Sequence, residues 1–156
     1  TVNVNAIHPI YMIKTMVPQL LERYEKTKTK CAIIVTSSGL GARPISGTVS
    51  YSASKSFSSF VAEALDTEFK GKIDCMSYQA GEVATKLLGK TKTDMRTITV
   101  DRAADTCFRD LGHMPMTRGS FRHEFSMLFM DNLPLIWIQN LMFGASKKAL
   151  AKTRKR

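Results

Sequence analysis

The chain is 156 residues long, 44% hydrophobic and 23% charged, which is enough apolar content for one domain with its own core and excludes wholesale disorder. Its formal net charge is +10, yet Lys147, Lys148, Lys152, Arg154, Lys155 and Arg156 crowd into the last ten residues with no acid among them. A basic tail beside an apolar segment, without interleaved aromatics or a binding motif, fits an anionic membrane surface better than nucleic acid.

Residues 6 to 26 read as a helix, with Ile10, Ile13, Met16, Val17, Leu20 and Leu21 on one face and Pro18 expected to kink it or mark a turn. Lys26 to Lys30 reads as a polar loop. The unbroken apolar run Cys31 to Thr36 predicts a strand covered on both faces. A loop rich in glycine and serine, Ser37 to Ser50, leads into a helix over 51–70. Its apolar stripe is Phe57, Phe60, Val61, Ala64, Leu65 and Phe69, with Gly71 as the stop. Ile73 to Tyr78 predicts a second strand. Helix, strand, helix, strand in that order implies α/β architecture with a parallel sheet and right-handed crossovers.

Gly81 to Thr99 is polar and lysine-rich and reads as a mobile loop. Asp101 is placed as the cap of a helix running to Leu111 and ended by Gly112, and Gly119 to His123 as a further short strand. Phe125 to Phe143 has Asp131 as its only charge but is interrupted by Asn132, Pro134, Gln139 and Asn140. It falls short of the roughly 20 mostly apolar residues of a spanning helix. It is therefore read as two segments broken at Asn132-Leu133-Pro134, buried, packed on a partner or lying in a bilayer interface. The last helix is expected from Pro134 to Leu150, with Leu135, Ile138, Met142, Ala145 and Ala149 on its apolar face. This divides the chain into a main domain, 1–124, and an apolar, basic extension, 125–156.

Cys31, Cys75 and Cys107 are widely spaced with no C-x-x-C pair, which argues against a disulfide framework or a structural zinc site. His8, His113 and His123 show no ligand spacing and read as surface or packing residues. Met114 and Met116 flank Pro115, suited to core packing or to an adaptable apolar pocket.

The chemistry concentrates in Tyr51-Ser52-Ala53-Ser54-Lys55, with Ser38 thirteen residues before the tyrosine. Tyr51 and Lys55, four apart, share a helix face. A phenol with a reference pKa of about 10 is a poor acid or base at neutral pH, and a nearby ammonium favours the phenolate. The pair then suits proton exchange with an alcohol or ketone oxygen. Ser38 falls just past the C-terminal end of the apolar strand, the edge of a parallel sheet where ligands bind, and its hydroxyl suits holding the same oxygen. A lone Y-x-x-x-K arises by chance in roughly one chain in four of this length. The serine at that spacing, at a strand end and before an amphipathic helix, is what makes the constellation specific.

Ser38, Tyr51 and Lys55 in this strand–loop–helix setting resemble the short-chain dehydrogenase/reductase family. Asn3-Val4-Asn5 before a helix carrying Pro18, the pair Ser37-Ser38, and Gly81 to Thr85, similar to a P-G-x-x-x-T turn, agree. Within the family, Val83-Ala84-Thr85-Lys86-Leu87, Asn132-Leu133-Pro134 and the basic tail resemble the very-long-chain 3-oxoacyl-CoA reductases, the 17-beta-hydroxysteroid dehydrogenase type 12-like proteins. The sequence departs from the pattern in two places. Ala80 stands where proline is usual, and no glycine precedes Gly39, so the glycine-rich pyrophosphate turn is not in this sequence.

The resemblance implies the C-terminal half of a doubly wound, Rossmann-like parallel sheet without the N-terminal Gly-rich half. It implies NADPH as cofactor in a full-length enzyme and reduction of a 3-oxoacyl-CoA in fatty acid elongation. Tyr51 is the implied proton donor, Lys55 tunes it and holds the nicotinamide ribose, Ser38 orients the carbonyl, and Asn5 holds a water in the proton relay. Gly81, Val83 and Thr85 join Tyr51 and Lys55 in cofactor binding. The alternative for Asn5 is a helix cap. The alternatives for the chain are a steroid or retinoid dehydrogenase, or a non-catalytic scaffold or remnant of the same fold. Lys152-Thr153-Arg154-Lys155-Arg156 resembles a dibasic retrieval signal, with arginine where lysine is usual, which implies the cytosolic face of the endoplasmic reticulum membrane. A half sheet with a bare strand edge is expected to dimerise or aggregate in isolation.

Overall fold

Two six-residue strands form the centre of a computed structural model that describes residues 1–86, 89 and 92–153. Strand β1, Cys31–Thr36, and strand β2, Ile73–Tyr78, pair in parallel from Cys31 opposite Ile73 to Thr36 opposite Tyr78. Both occupy the residues expected from the sequence, Cys31–Thr36 and Ile73–Tyr78. The α-helix α1, His8–Thr27, precedes β1, and α2, Val49–Glu68, makes the crossover to β2. A third short strand, Met116–Thr117, extends the sheet in the order β1, β2, β5.

Strand β2 is central and covered on both faces. Cys31, Ile73 and Cys75 pack against Val17, Leu20 and Leu21 of α1 and Leu65 and Phe69 at the end of α2. On the other face Met76 and Tyr78 pack against Cys107 of α3, Val100–Asp110, and against Leu111. Ile73 and Met76 are fully buried, each contributing roughly 1.5–3 kcal/mol in transfer terms. Strand β1 is different. Ala32 and Thr36 are exposed, so the expected cover on both its faces is incomplete.

The helices depart from the sequence pattern in instructive ways. Pro18 lies inside α1 without ending it. The helix is entered through a π-helical turn, Asn3–Ile7, and Met16 points outward. Helix α2 buries Ser52, Ser54, Ser58, Ser59 and Ala62, whereas Phe57 is exposed and Phe60 is 74% exposed. The N-terminal part of the apolar stripe therefore faces away from the sheet and a serine face takes its place, while Leu65 and Phe69 at the C-terminal end reach the core as the stripe predicts. The cap of α3 is Thr99, whose Oγ1 accepts from Arg102 N at 3.1 Å, rather than Asp101 in its first turn.

The region after β2 contains a parallel bridge of two residues a side, β3 (Glu82–Val83) with β4 (Thr97–Ile98), which pins the base of the intervening loop. The expected strand at Gly119 to His123 is not one. Strand β5 lies at Met116–Thr117, Ser120 caps the next helix through Oγ, and α4, Phe121–Asn132, has already begun. The break at Leu133-Pro134 separates α4 from α5, Leu135–Thr153. On α5 Ile138 is fully buried, Leu135 is 37% exposed and Ala145 is exposed; the side chain of Ala149, the residues Arg154, Lys155 and Arg156 of the tail and Leu87 lie outside the described residues. Among the described residues no helix is long and apolar enough to cross a membrane.

Candidate active site

The C-terminal ends of β1 and β2 lie side by side, and the ladder continues one residue past β1, where Ser37 N donates to Tyr78 O at 2.8 Å. Ser38 and the turn beginning at Gly81 thus leave the sheet at the same edge. Ser38 has extended backbone and begins a 3-10 turn, Gly39–Gly41; its Oγ accepts from Leu40 N at 3.2 Å. Among the described residues its own O–H donates to nothing, so it remains able to donate to a ligand oxygen.

Helix α2 crosses over this edge. Lys55 Nζ donates to the carbonyl oxygen of Thr36 at 2.9 Å and stands 5.9 Å from the ring centroid of Tyr51, one turn earlier. Burial holds the Lys55 ammonium below the ordinary lysine pKa. An ammonium has three donors. With one on Thr36, two remain for other acceptors. The phenolic oxygen of half-buried Tyr51 makes no hydrogen bond among the described residues.

Close packing explains how the helix comes so near the loop. A β-carbon on Gly41 would lie 2.8 Å from the backbone of Lys55 and Ser56, so only glycine fits there. Beneath the helix runs a buried chain of hydroxyls. Ser37 Oγ donates to the carbonyl oxygen of Lys55 at 2.6 Å, Ser59 Oγ donates to Ser37 Oγ at 2.8 Å, and Ser77 Oγ and Gln79 Nε2 donate to Ser59 Oγ at 3.0 and 3.3 Å. Sequence reasoning missed this chain. Its one signal was the run of serines at helical spacing in α2.

Asn5 sits inside the π-helical turn, not at a cap. Its Nδ2 donates to Ser54 Oγ at 3.3 Å and its carbonyl oxygen accepts from Ser58 Oγ at 2.6 Å, which places it against α2 beside Lys55. Val83 and Thr85 are half-buried past the end of β2, and Ala84 N donates to Ile98 O at 2.9 Å. A cleft of about 290 Å³ is lined by the loop 41–46, by Val49, Ser52, Ala53 and Ser56 of α2, and by Gln139. Tyr51 is two residues from both Val49 and Ala53, roughly 200° around the helix, so this cleft is not where the phenol points.

Helix α4 closes the edge from above. Its first turn brings the His123 ring against Gly81, and one turn later Met127 lies against Gly39. Arg43, in the loop after Ser38, holds the other end of α4 by donating to the carbonyl oxygens of Met130, Asp131 and Leu133. None of these contacts was visible in local sequence patterns.

The family model described as short chain dehydrogenase matches residues 1–96. The chain is 30% identical over 138 residues to a very-long-chain 3-oxoacyl-CoA reductase of Macaca fascicularis, covering 88% of this chain and 42% of that protein. It is 27% identical over 159 residues to the Homo sapiens protein of the same name, covering 99% and 49%. The chain thus spans about half the length of the curated relatives it matches. The fold is similar to that of a 7beta-hydroxysteroid dehydrogenase (TM-score 0.69, 19% identity, 90% of this chain and 56% of the other). It is also similar to a Burkholderia cenocepacia short chain dehydrogenase in complex with NADP (0.65, 20% identity, 84% and 53%).

Proposed function

The chain belongs to the short-chain dehydrogenase family, and from that premise we propose that it carries the catalytic part of an NADPH-dependent reductase acting on the 3-oxo group of a long-chain fatty acyl-CoA. The observation that carries this reading is Lys55 seated on the Thr36 carbonyl, beside Tyr51 and at the strand end where Ser38 leaves the sheet. The substrate class rests on the two relatives that bear that name.

The residues suit the nicotinamide half of the cofactor. Lys55 has two donors left for ribose hydroxyls, and Gly81, Val83 and Thr85 follow β2 at the same edge. NADPH, when bound, supplies a hydride to the carbonyl carbon. Tyr51 gives its phenolic proton to the substrate oxygen as that oxygen becomes an alkoxide. Lys55 stabilises the negative charge left on the phenol, and Ser38 donates a hydrogen bond to the same substrate oxygen. Asn5, packed on Ser54 and Ser58, orders the route by which solvent restores the Tyr51 proton.

We propose further that α4 and α5 dock the protein on the cytosolic face of the endoplasmic reticulum membrane. Phe121, Phe125 and Phe129 of α4 and Trp137 and Leu141 of α5 are exposed, and Lys147 Nζ lies 4.4 Å over the Phe143 ring. Apolar side chains with adjacent cations suit an interfacial helix on anionic lipid.

The test is loss of NADPH absorbance when the full-length polypeptide is given a long-chain 3-oxoacyl-CoA, with Tyr51→Phe as control. Turnover lost in Tyr51→Phe supports the reading. Turnover of a hydroxysteroid or retinoid alone overturns the substrate class, and no turnover of any carbonyl substrate leaves a binding scaffold as the better account. Flotation with phosphatidylserine vesicles, absent with phosphatidylcholine vesicles, supports the docking surface; no flotation with either overturns it.

A further inference from the structure

Gly81 opens the turn after β2, and its φ is not in the left-handed region, so backbone strain does not require glycine there. Space does. A β-carbon on Gly81 would stand 2.6 Å from Cδ2 and 2.7 Å from Cγ and Nε2 of His123. The imidazole fills that space and is 4% exposed.

The ring also reaches the far end of the loop that the turn begins. Nε2 lies 3.0 Å from the carbonyl oxygen of Arg96. A carbonyl only accepts, so Nε2 is the protonated nitrogen and donates. Arg96 adjoins Thr97, which pairs with Glu82 in the β3–β4 bridge. One side chain therefore touches the residue where the chain leaves the sheet and the residue where it returns. Arg122 adds a second tie on the return side, its Nη1 donating to Asp94 O at 3.1 Å. The support is stiff, because Ser120 caps α4 at one end and Arg43 holds it at the other.

We propose that His123 is a positioning residue for the cofactor: wedged between Gly81 and the Arg96 carbonyl, it holds the turn Gly81 to Thr85 in the conformation that receives the nicotinamide half. This rests on the reading of that turn given above. The buried Nδ1 of His123 has no hydrogen-bond partner among the described residues. An apolar residue of the same size would fill the space against Gly81 but leave the Arg96 carbonyl without this donor, so packing and hydrogen bond together tie the two ends of the loop.

The experiment uses the full-length polypeptide as wild type, His123→Ala, His123→Gln, Gly81→Ala and the double variant Gly81→Ala/His123→Ala. Binding of NADPH is compared with binding of its fragment lacking nicotinamide, 2′-phospho-ADP-ribose. His123→Ala is expected to weaken NADPH about five- to tenfold and to raise its KM with a smaller change in kcat, leaving the fragment within about twofold. His123→Gln, which keeps a donor, is expected to restore most of the loss. Gly81→Ala is expected to weaken NADPH as much as His123→Ala, and the double variant to be no worse than His123→Ala alone, because removing the ring makes room for the methyl. Equal weakening of NADPH and fragment, unchanged NADPH binding, or simple additivity of the two substitutions overturns the proposal while the cofactor reading stands. Wild type that binds neither ligand overturns the cofactor reading and the proposal together.

Discussion

Lys55 Nζ donates a 2.9 Å hydrogen bond to the carbonyl oxygen of Thr36, fixing the ammonium to the end of β1 two residues before Ser38. Replacing Lys55 by Met in the full-length polypeptide is expected to lower kcat/KM by at least about 100-fold, the lower end for a positioned acid–base group. The pH sign follows from burial, which lowers the lysine pKa in the native state. Between that lowered value and the free-lysine value of about 10.4, the unfolded chain binds a proton that the native chain has released, so this group's contribution to stability rises with pH. Unfolding midpoints of wild type and Lys55→Met, compared from neutral to alkaline pH, should show wild type gaining on the variant. A constant difference would mean that Lys55 titrates normally.

Ser59 anchors the hydroxyl chain under α2, accepting from Ser77 and Gln79 and donating to Ser37. Ser59→Ala leaves buried donors without an acceptor and is expected to cost about 1–3 kcal/mol. Phe60, its neighbour, is 74% exposed, and Phe60→Ser is expected to change stability by less than about 0.5 kcal/mol. Urea unfolding of the two variants decides the matter. The hydrophobic stripe predicts the reverse ranking.

That reversal shows where the sequence was legible and where it was not. The contiguous apolar run Cys31–Thr36 located β1 although its cover is incomplete, and Ile73–Tyr78 located β2 although Asp74 and Ser77 interrupt its apolar residues. Periodicity placed Leu65 and Phe69 of α2 correctly but misjudged Phe57 and Phe60, because buried hydroxyls satisfied by one another occupy the face that apolar residues usually fill. The two-residue strands β3, β4 and β5 are too short to carry a period. Thr99 and Asp101 are both credible caps, and only the bond from Arg102 N selects the first. The spacing of Ser38, Tyr51 and Lys55 located one edge of the site. The contact of His123 with Gly81 joins residues 42 apart through the packing of α4, which no local pattern encodes.

Asp110 links α3 to β5. Its carboxylate accepts from Arg109 Nε at 2.6 Å and from Thr117 Oγ1 at 2.6 Å, and it is buried. The Arg109 hydrogen bond, then that from Thr117 and the Arg109 charge, holds the carboxyl below its usual pKa against the opposing effect of burial. A depressed native pKa gives stability that is present above the unfolded value of about 3.9 and is lost as pH falls through the native one. Asp110→Asn should therefore flatten the acid limb of the stability profile, and Asp110→Ala should cost about 1–3 kcal/mol at neutral pH by stranding Thr117. Identical acid limbs for wild type and Asp110→Asn would contradict this.

Cys31, Cys75 and Cys107 are free and buried. Burial first, then the Asp66, Asp74 and Glu68 carboxylates, pushes the Cys75 thiol up to about 12. At pH 8 only about one Cys75 in 10,000 would be thiolate, and the thiolate is the reactive form. Cys31, Cys75 and Cys107 should react slowly with an aromatic disulfide reagent in the native protein, and all three should react at once in urea. Rapid native labelling of Cys75 would show that the β2 core is open.

Arg43 connects the loop after Ser38 to the end of α4. Its Nη1 lies 2.9, 3.2 and 2.8 Å from the carbonyl oxygens of Met130, Asp131 and Leu133, sharing its two hydrogens among them; the first two are among the carbonyls that a helix end leaves without internal partners and the third belongs to the residue that follows α4. Arg43→Ala removes a cation from a helix C-terminus and strands these acceptors, at an expected cost of about 1.5–3 kcal/mol. The loss should be local first. Limited proteolysis is expected to cut the Leu133-Pro134 connection faster in Arg43→Ala than in wild type, before any change in cleavage within α1 or α2. Because α4 carries His123 and Met127 over the two loops of the site, the same variant should weaken NADPH binding in step with the cleavage rate. Faster cleavage with unchanged cofactor binding would show that α4 does not support the site through Arg43.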